Sequence, residues 1–235
     1  MLKIEHTEVV GWSAAIRGMR NPKNSWEKSD SFIPCHYKTK CHECEDNQKC
    51  AYYFEDGLPY KKNDFIGTND LDLMTRLRNA GTDHRKFMRM IVVYLDITAP
   101  LYYWKEFDTY KVGTVANSCS TMHKIAAKEF TLEDFSCEHL QNSWLAHLKE
   151  TIRLLNEARD AYNWCNTDAK KEWWWQMIQL LPSSYNQKRT VMLNYEVLAN
   201  MYKSRRNHKL DEWHTFCDWI EKLPYSELIT GKERK

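Results

Sequence analysis

The sequence predicts an α+β fold. Three observations point there: one long run of β-branched and aromatic residues at 85–98 that Pro100 stops, several stretches with helical periodicity or helix-end signals on either side of it, and the absence of any internal repeat. With 235 residues the chain forms one domain, 1–235, with enough length to bury a core. A cysteine-rich stretch at 32–62 is set into it as an insertion.

Each element has its own signal. A short strand at 3–6 leads into a helix over 9–19, which a basic loop ends. There Arg17, Arg20, Lys23 and Lys28 surround Trp26, which reads either as a solvated loop anchored by one ring or as a phosphate-facing surface. Residues 69–81 carry Asn69 as N-cap, acids in the first turn, Leu73 and Leu77 on one face, and Gly81 as the stop. This helix brings His84 and Arg89 to the base of the run at 85–98; His84 reads as a solvated side chain or as a ligand group. After an aromatic-rich helix or turn at 101–107, Thr131 opens another helical unit. Residues 140–162 then place Trp144, Leu145, Leu148, Ile152, Leu155 and Ala158 at a period of about 3.6. In the helix predicted over 168–181, Trp173, Trp174 and Trp175 point in three directions, so at least one packs against another element or another chain. Thr190 is the expected cap of a helix over 191–204 that aligns Asn194 and Arg205 about three turns apart on one face. Arg205 and Arg206 read equally as charges that complement the helix dipole. A last helix over 211–223 buries Trp213, Phe216, Cys217 and Ile220, Pro224 closes it, and the tail from Gly231 frays.

Composition excludes several classes. A hydrophobic fraction of 43% with 10 Trp and 13 Tyr is that of a folded protein. The net charge of +2 gives no global basic field, which makes nucleic acid an unlikely partner beyond local patches. No apolar run is long enough for a membrane span, and the N-terminus lacks the apolar core of a signal peptide, so the expected location is the cytoplasm. No phosphate-binding Gly-rich loop, nucleophile elbow or His-Glu-x-x-His is present.

Four of the eight cysteines cluster as Cys35, Cys41, Cys44 and Cys50, spaced Cys-x5-Cys-x2-Cys-x5-Cys in a segment without aliphatic side chains. Such a segment builds no core of its own, and a zinc ion held by the four thiolates is the simplest means of ordering it. An iron–sulfur cluster, free thiols and disulfides are the other readings.

The segment with most chemistry is 108–124. Hydroxyls and amides (Thr109, Thr114, Asn117, Ser118, Ser120, Thr121) lie between the cationic groups Lys111, His123 and Lys124, with Gly113 to turn the backbone. Convergent donors with little bulk suit an anionic ligand that carries a hydrogen-bonding ring, since charge-assisted bonds are the strong ones. A polar loop capping a helix is the plainer reading.

Counted from Asn117 and Ser120, this segment resembles the signature of the flavin-dependent thymidylate synthases: Arg-His-Arg, two residues, Ser, one residue, Asn, two residues, Ser, one residue, Arg. Asn117 and Ser120 match; Tyr110, Lys111 and Val112 stand for Arg-His-Arg, Val115 for the first Ser, and Met122 for the last Arg, with His123 beside it. Leu181-Pro182, Thr190, Asn194, Arg205, His208 and Glu212-Trp213 follow in the family's order, and 81–89 is similar to its His-rich segment, so the resemblance spans about 67–228. It implies an α+β fold with a mostly antiparallel central sheet between long helices, like the thymidylate synthase complementing proteins, a homotetramer with sites between subunits, and a pyrimidine nucleotide and FAD as ligands. It also implies one-carbon transfer to a uracil ring, with a site of His84, Arg89, Lys111, Asn117, Ser120, His123, Arg189, Asn194, Arg205 and His208. The guanidinium groups with which the family holds phosphates are missing at Tyr110, Val112, Met122, Ile178 and Glu196. Each lost charge-assisted bond removes roughly 1.5–3 kcal/mol of anion binding, which puts thymidylate synthesis itself in doubt. The alternative is a non-catalytic protein that binds a nucleotide or a macromolecular partner on the same fold.

Overall fold

The computed structural model describes residues 1–31, 54–55, 58–59 and 66–232. The four clustered cysteines lie outside the described residues, and so does most of 32–65; within it, the two-residue strands β2 (Phe54–Glu55) and β3 (Leu58–Pro59) pair antiparallel. No helix among the described residues is long and apolar enough to cross a membrane.

The centre is a four-stranded antiparallel sheet, built of β1 (Lys3–Val10), β4 (Val92–Pro100), β5 (Val115–Ser118) and β6 (Asn186–Asn194) in the order β1-β4-β6-β5. Strand β4 alternates: Val93, Leu95, Ile97 and Ala99 are buried while Tyr94 faces out, the period-2 pattern of a sheet with one packed face. On the packed side lie α1 (Trp12–Arg20), α3 (Leu101–Phe107), α6 (Tyr195–Arg205) and α7 (Asp211–Ile220), which bring Trp12, Tyr103, Trp104, Leu198, Trp213 and Phe216 into one core with the sheet. The opposite face is the more exposed one. Met192 lies between Tyr94 and Val115 there, and Tyr94 and Val115 are exposed.

A second core forms beside the first. The antiparallel pair α4 (Asn142–Trp164) and α5 (Ala169–Leu180) buries Leu148, Ile152, Leu155, Ala158 and Met177 against Ile125, Phe130 and Phe135. Of the three successive tryptophans, Trp174 packs on this core, whereas Trp173 and Trp175 are exposed.

Helix α2 (Thr68–Asn79) and the short α8 (Glu227–Thr230) complete the fold. The N-terminus of α2 is not capped by Asn69. Asp30 does it from far upstream in the chain, accepting from the backbone N–H groups of Asn69 (2.9 Å) and Asp70 (3.1 Å). That approach leaves room only for glycine at position 67, where a Cβ would sit 2.2 Å from the Asp30 carboxyl carbon. The Gly67 N–H donates to Ser31 Oγ at 3.0 Å, and Ser31 donates to Asp70. Asp70 in turn accepts from the Arg20 guanidinium at 2.6 Å, a fully buried pair that ties α1 to α2.

Three sequence expectations are corrected. The run at 85–98 is not one strand: Arg85–Met90 forms a 3-10 helix whose Phe87 and Met88 plug the core, and β4 starts after it. The polar segment 108–124 contributes the edge strand β5, which pairs with β6 although all four of its residues are exposed. The helix expected over 191–204 begins at Tyr195, because Thr190–Asn194 pairs with β4 along its whole length. Alternating burial in that stretch outweighed the helical signal read from its polar residues.

Candidate functional site

The polar segment is anchored to the sheet edge. The Cys119 N–H donates to the Lys188 carbonyl (3.0 Å), and Gln187 Nε2 donates to the Cys119 carbonyl (2.8 Å). Beyond this anchor the chain turns as the His123 N–H donates to Ser120 Oγ (3.0 Å), and α5 pins the turn through Trp174 Nε1, which donates to the Met122 carbonyl (2.9 Å). Between the held loop and the ends of β4 and β6 lies a cavity of about 580 Å³.

Hydroxyls of Ser120, Thr121 and Thr98, the ammonium groups of Lys124, Lys128 and Lys188, and the rings of Phe130 and Tyr185 line it. Lys128 pairs with Asp134, which holds its ammonium above the ordinary lysine range. Lys188 is likewise raised by its bond to Asp96 at 3.0 Å. Lys124 is exposed and has no carboxylate partner among the described residues. With Glu133 and Asp134 also on the wall, the cavity has a small excess of positive charge beside aromatic surface, a setting for a singly phosphorylated ring. A neighbouring recess of about 660 Å³ takes His123, with Trp174, Tyr162 and Lys170. Neighbouring residues at the C-terminal end of the signature-like segment thus face different hollows.

The remaining candidate residues are placed elsewhere. Asn117 lies exposed on β5, opposite Thr190. Lys111 is exposed in the turn before it. Asn194 ends β6 as the N-cap of α6: its Oδ1 accepts from the Val197 N–H at 3.0 Å, and its Nδ2 donates to the Gly113 carbonyl at 3.5 Å. Gly113 has φ 76°, and a Cβ there would meet that Nδ2 at 2.9 Å, so the turn closes only with glycine.

Arg205, at the other end of α6, is enclosed. Its Nη1 lies 2.7 Å from Glu106 Oε2, its Nε donates to the Tyr110 hydroxyl (2.9 Å), and its guanidinium carbon sits 4.9 Å from the Trp213 ring centre. Glu106 Oε2 also accepts from Trp213 Nε1 (2.9 Å) and lies 3.2 Å from His208 Nε2. Arg189 is held in the same manner, bonded to Asp108 (2.8 Å) and Gln187 (3.0 Å) and stacked 4.1 Å over Trp104. A row of free groups from Asn194 to Arg205 does not exist: one is spent on a cap and the other on a carboxylate. The segment 108–124 and α6 do meet, in direct contact at Tyr110 and Gly113 rather than across an open cleft.

His84 is exposed ahead of the 3-10 helix. Arg89 and Arg85 share the buried carboxylate of Glu196. Both guanidinium groups therefore stand at position 196, where the resemblance implies a guanidinium and this chain has a carboxylate.

The chain is similar over its whole length to two crystal structures. One is the flavin-dependent thymidylate synthase ThyX from Helicobacter pylori complexed with FAD and dUMP, at 14% identity and TM-score 0.62, covering 99% of this chain and 100% of that one. The other is thymidylate synthase X from the same organism with FAD and dUMP, at 14% identity and TM-score 0.60, covering 98% of each. The fold is that of the flavin-dependent thymidylate synthases. No protein-family model matches the chain, and no curated protein sequence does. At 14% identity the thymidylate synthase fold is shared while most side chains differ. Lys128, Lys188, Phe130 and Tyr185 were not singled out by motif reading, since they come together only when β6 folds beside the loop. The one available signal was Lys124 and Lys128, four residues apart and next to an aromatic.

Proposed function

We propose that this protein binds a pyrimidine nucleotide in the cavity behind the Cys119–Lys128 loop. The observation that carries the reading is the pairing there of unpartnered Lys124 and the Ser120 and Thr121 hydroxyls with the rings of Phe130 and Tyr185, on a fold whose similar structures hold dUMP. Lys124 and the hydroxyls would take the phosphate, and the rings would cover the base. The uncovered sheet face at Tyr94, Met192 and Val115 supports assembly with further copies of the chain, as a tetramer.

FAD is implied by the fold neighbours, and the residues present do not fit it as the resembled signature would hold it. The Tyr110 hydroxyl is spent on Arg205, Val112 is 91% exposed, and position 196 presents a carboxylate instead of a guanidinium. No hydride step is assigned. A non-catalytic nucleotide binder is favoured by the internal use of Arg189, Asn194 and Arg205. Flavin-dependent one-carbon transfer is the second reading, favoured by the full-length similarity to ThyX structures that contain FAD and dUMP.

Titration calorimetry with dUMP and with deoxyuridine tests the first reading. Binding of dUMP that falls at least tenfold in Lys124→Ala supports it, and equal affinity for the nucleoside rejects it. Flavin absorbance in the purified protein, or acquired on addition of FAD, would move the assignment to the second.

A further inference from the structure

A third cavity, of about 570 Å³, opens between the C-terminal end of α2, the exposed side of α6 and the end of α8. Arg78, Arg85, Lys203 and Arg206 line it, together with Thr82 and Asn200, and no carboxylate is on its wall among the described residues. Cations at helix C-termini are ordinarily explained by the helix dipole, and Arg78, Lys203 and Arg206 qualify. That explanation does not extend to Arg85, which comes from the 3-10 helix, nor to the shortage of counter-charge.

Tracing each partner shows the excess. The Arg78 guanidinium donates to the Leu228 (3.2 Å) and Ile229 (3.3 Å) carbonyls and to Asn79, and meets no carboxylate among the described residues. Burial and the like charge of Arg85 both depress its pKa, the opposite of what an ion pair does. Arg85 shares Glu196 with Arg89, so that two guanidinium groups face one carboxylate. Lys203 is exposed without a partner. Of the four, Arg206 is balanced, by Asp218 at 2.5 Å and Glu221 at 3.7 Å. Asn200 Oδ1 accepts from Arg85 at 3.1 Å, which turns its amide Nδ2 into a spare donor on the same wall.

From this concave wall, which carries four cationic side chains and no carboxylate among the described residues, we infer that the cavity binds the phosphate chain of a small ligand carrying a diphosphate group. Two linked phosphates match the spread of separate cations better than one, and a diphosphate brings the several negative charges the wall lacks. The site is separate from the loop cavity and does not depend on nucleotide binding there.

The test is calorimetry of the full chain at low salt with inorganic pyrophosphate, a nucleoside diphosphate and the parent nucleoside. Pyrophosphate and the diphosphate are expected to bind and the nucleoside not; a tighter diphosphate identifies a nucleotide as the source, and equal affinities identify the free anion. Lys203→Glu is expected to weaken pyrophosphate binding at least tenfold, and Lys124→Glu, the same charge change in the other cavity, to leave it within twofold. Absence of binding by the intact protein overturns the inference, as does a loss in Lys124→Glu equal to or greater than that in Lys203→Glu. Lys203 makes no contact that the fold requires, so an unchanged thermal midpoint in that variant accompanies the supporting result.

Discussion

The Arg205 guanidinium lies 2.7 Å from the Glu106 carboxylate, and this pair closes the end of α6 onto α3. Glu106 also receives Trp213 Nε1 and stands within reach of His208, so one carboxylate organises a guanidinium, an indole and an imidazole. Glu106→Gln is expected to cost about 1–2 kcal/mol of unfolding free energy, because a half-buried Arg205 loses its counter-charge while keeping the Tyr110 contact. Urea denaturation checks it, and a stability equal to the parent would show the pair to be incidental.

The buried pair of Arg20 and Asp70 carries more weight, since neither partner reaches solvent. Arg20→Ala is expected to destabilise by about 3–5 kcal/mol, leaving a carboxylate buried without its cation. Burial alone would raise the Asp70 pKa, but hydrogen bonds from Ser29, Ser31 and Arg20 prevail and hold it below the usual carboxylate range. With a folded value below the unfolded one of about 3.9, this stabilisation is full at neutral pH and fades as pH drops through the folded value. The stability gap between parent and Asp70→Asn should therefore narrow in acid below about pH 4, as read by thermal midpoints in a pH series.

The exposed sheet face gives a third expectation. Tyr94→Glu combined with Val115→Lys should leave the monomer folded and shift light-scattering mass toward single chains. A mass already monomeric in the parent would remove the oligomer reading.

Cysteine reactivity should divide along burial. Burial pushes the Cys217 thiol up to about 11, whereas the Thr167 hydroxyl beside Cys165 draws that thiol below the ordinary cysteine range. Among the described cysteines, alkylation of native protein at pH about 8 should label Cys165 first and Cys217 last, as seen by peptide mapping. The reverse order would mean that Cys217 is not protected in solution.

For Cys35, Cys41, Cys44 and Cys50 the sequence alone supplies the expectation: about one zinc per chain in protein purified without chelator, released in the Cys41→Ser, Cys44→Ser double variant. Protein free of any metal would end it.

Much of the scaffold was legible because its signals are local. The helices over 140–162 and 168–181 follow from period and composition, and α4 and α5 lie within a few residues of those bounds. What could not be read was supplied from afar. The cap of α2 comes from Asp30, 39 residues upstream of Asn69, and no local signal announces it. The sequence places Asn194 inside a helix as a ligand group, whereas the pairing of β6 with β4 makes it the last strand residue and the cap of α6. Arg205 pointed as expected towards the signature-like segment and found Glu106, a residue outside the motif, already there. Pattern matching locates side chains along the chain; it does not reveal which charges will be neutralised by their neighbours.

The stitches joining Asp30 and Ser31 to Gly67, Asn69 and Asp70 have an architectural consequence. The chain departs at Ser31 and returns at Ile66 through a gateway whose two posts are already bolted together. Replacing 32–65 with a short Gly-Ser tether should change the closure entropy only slightly and preserve the sheet and both cores.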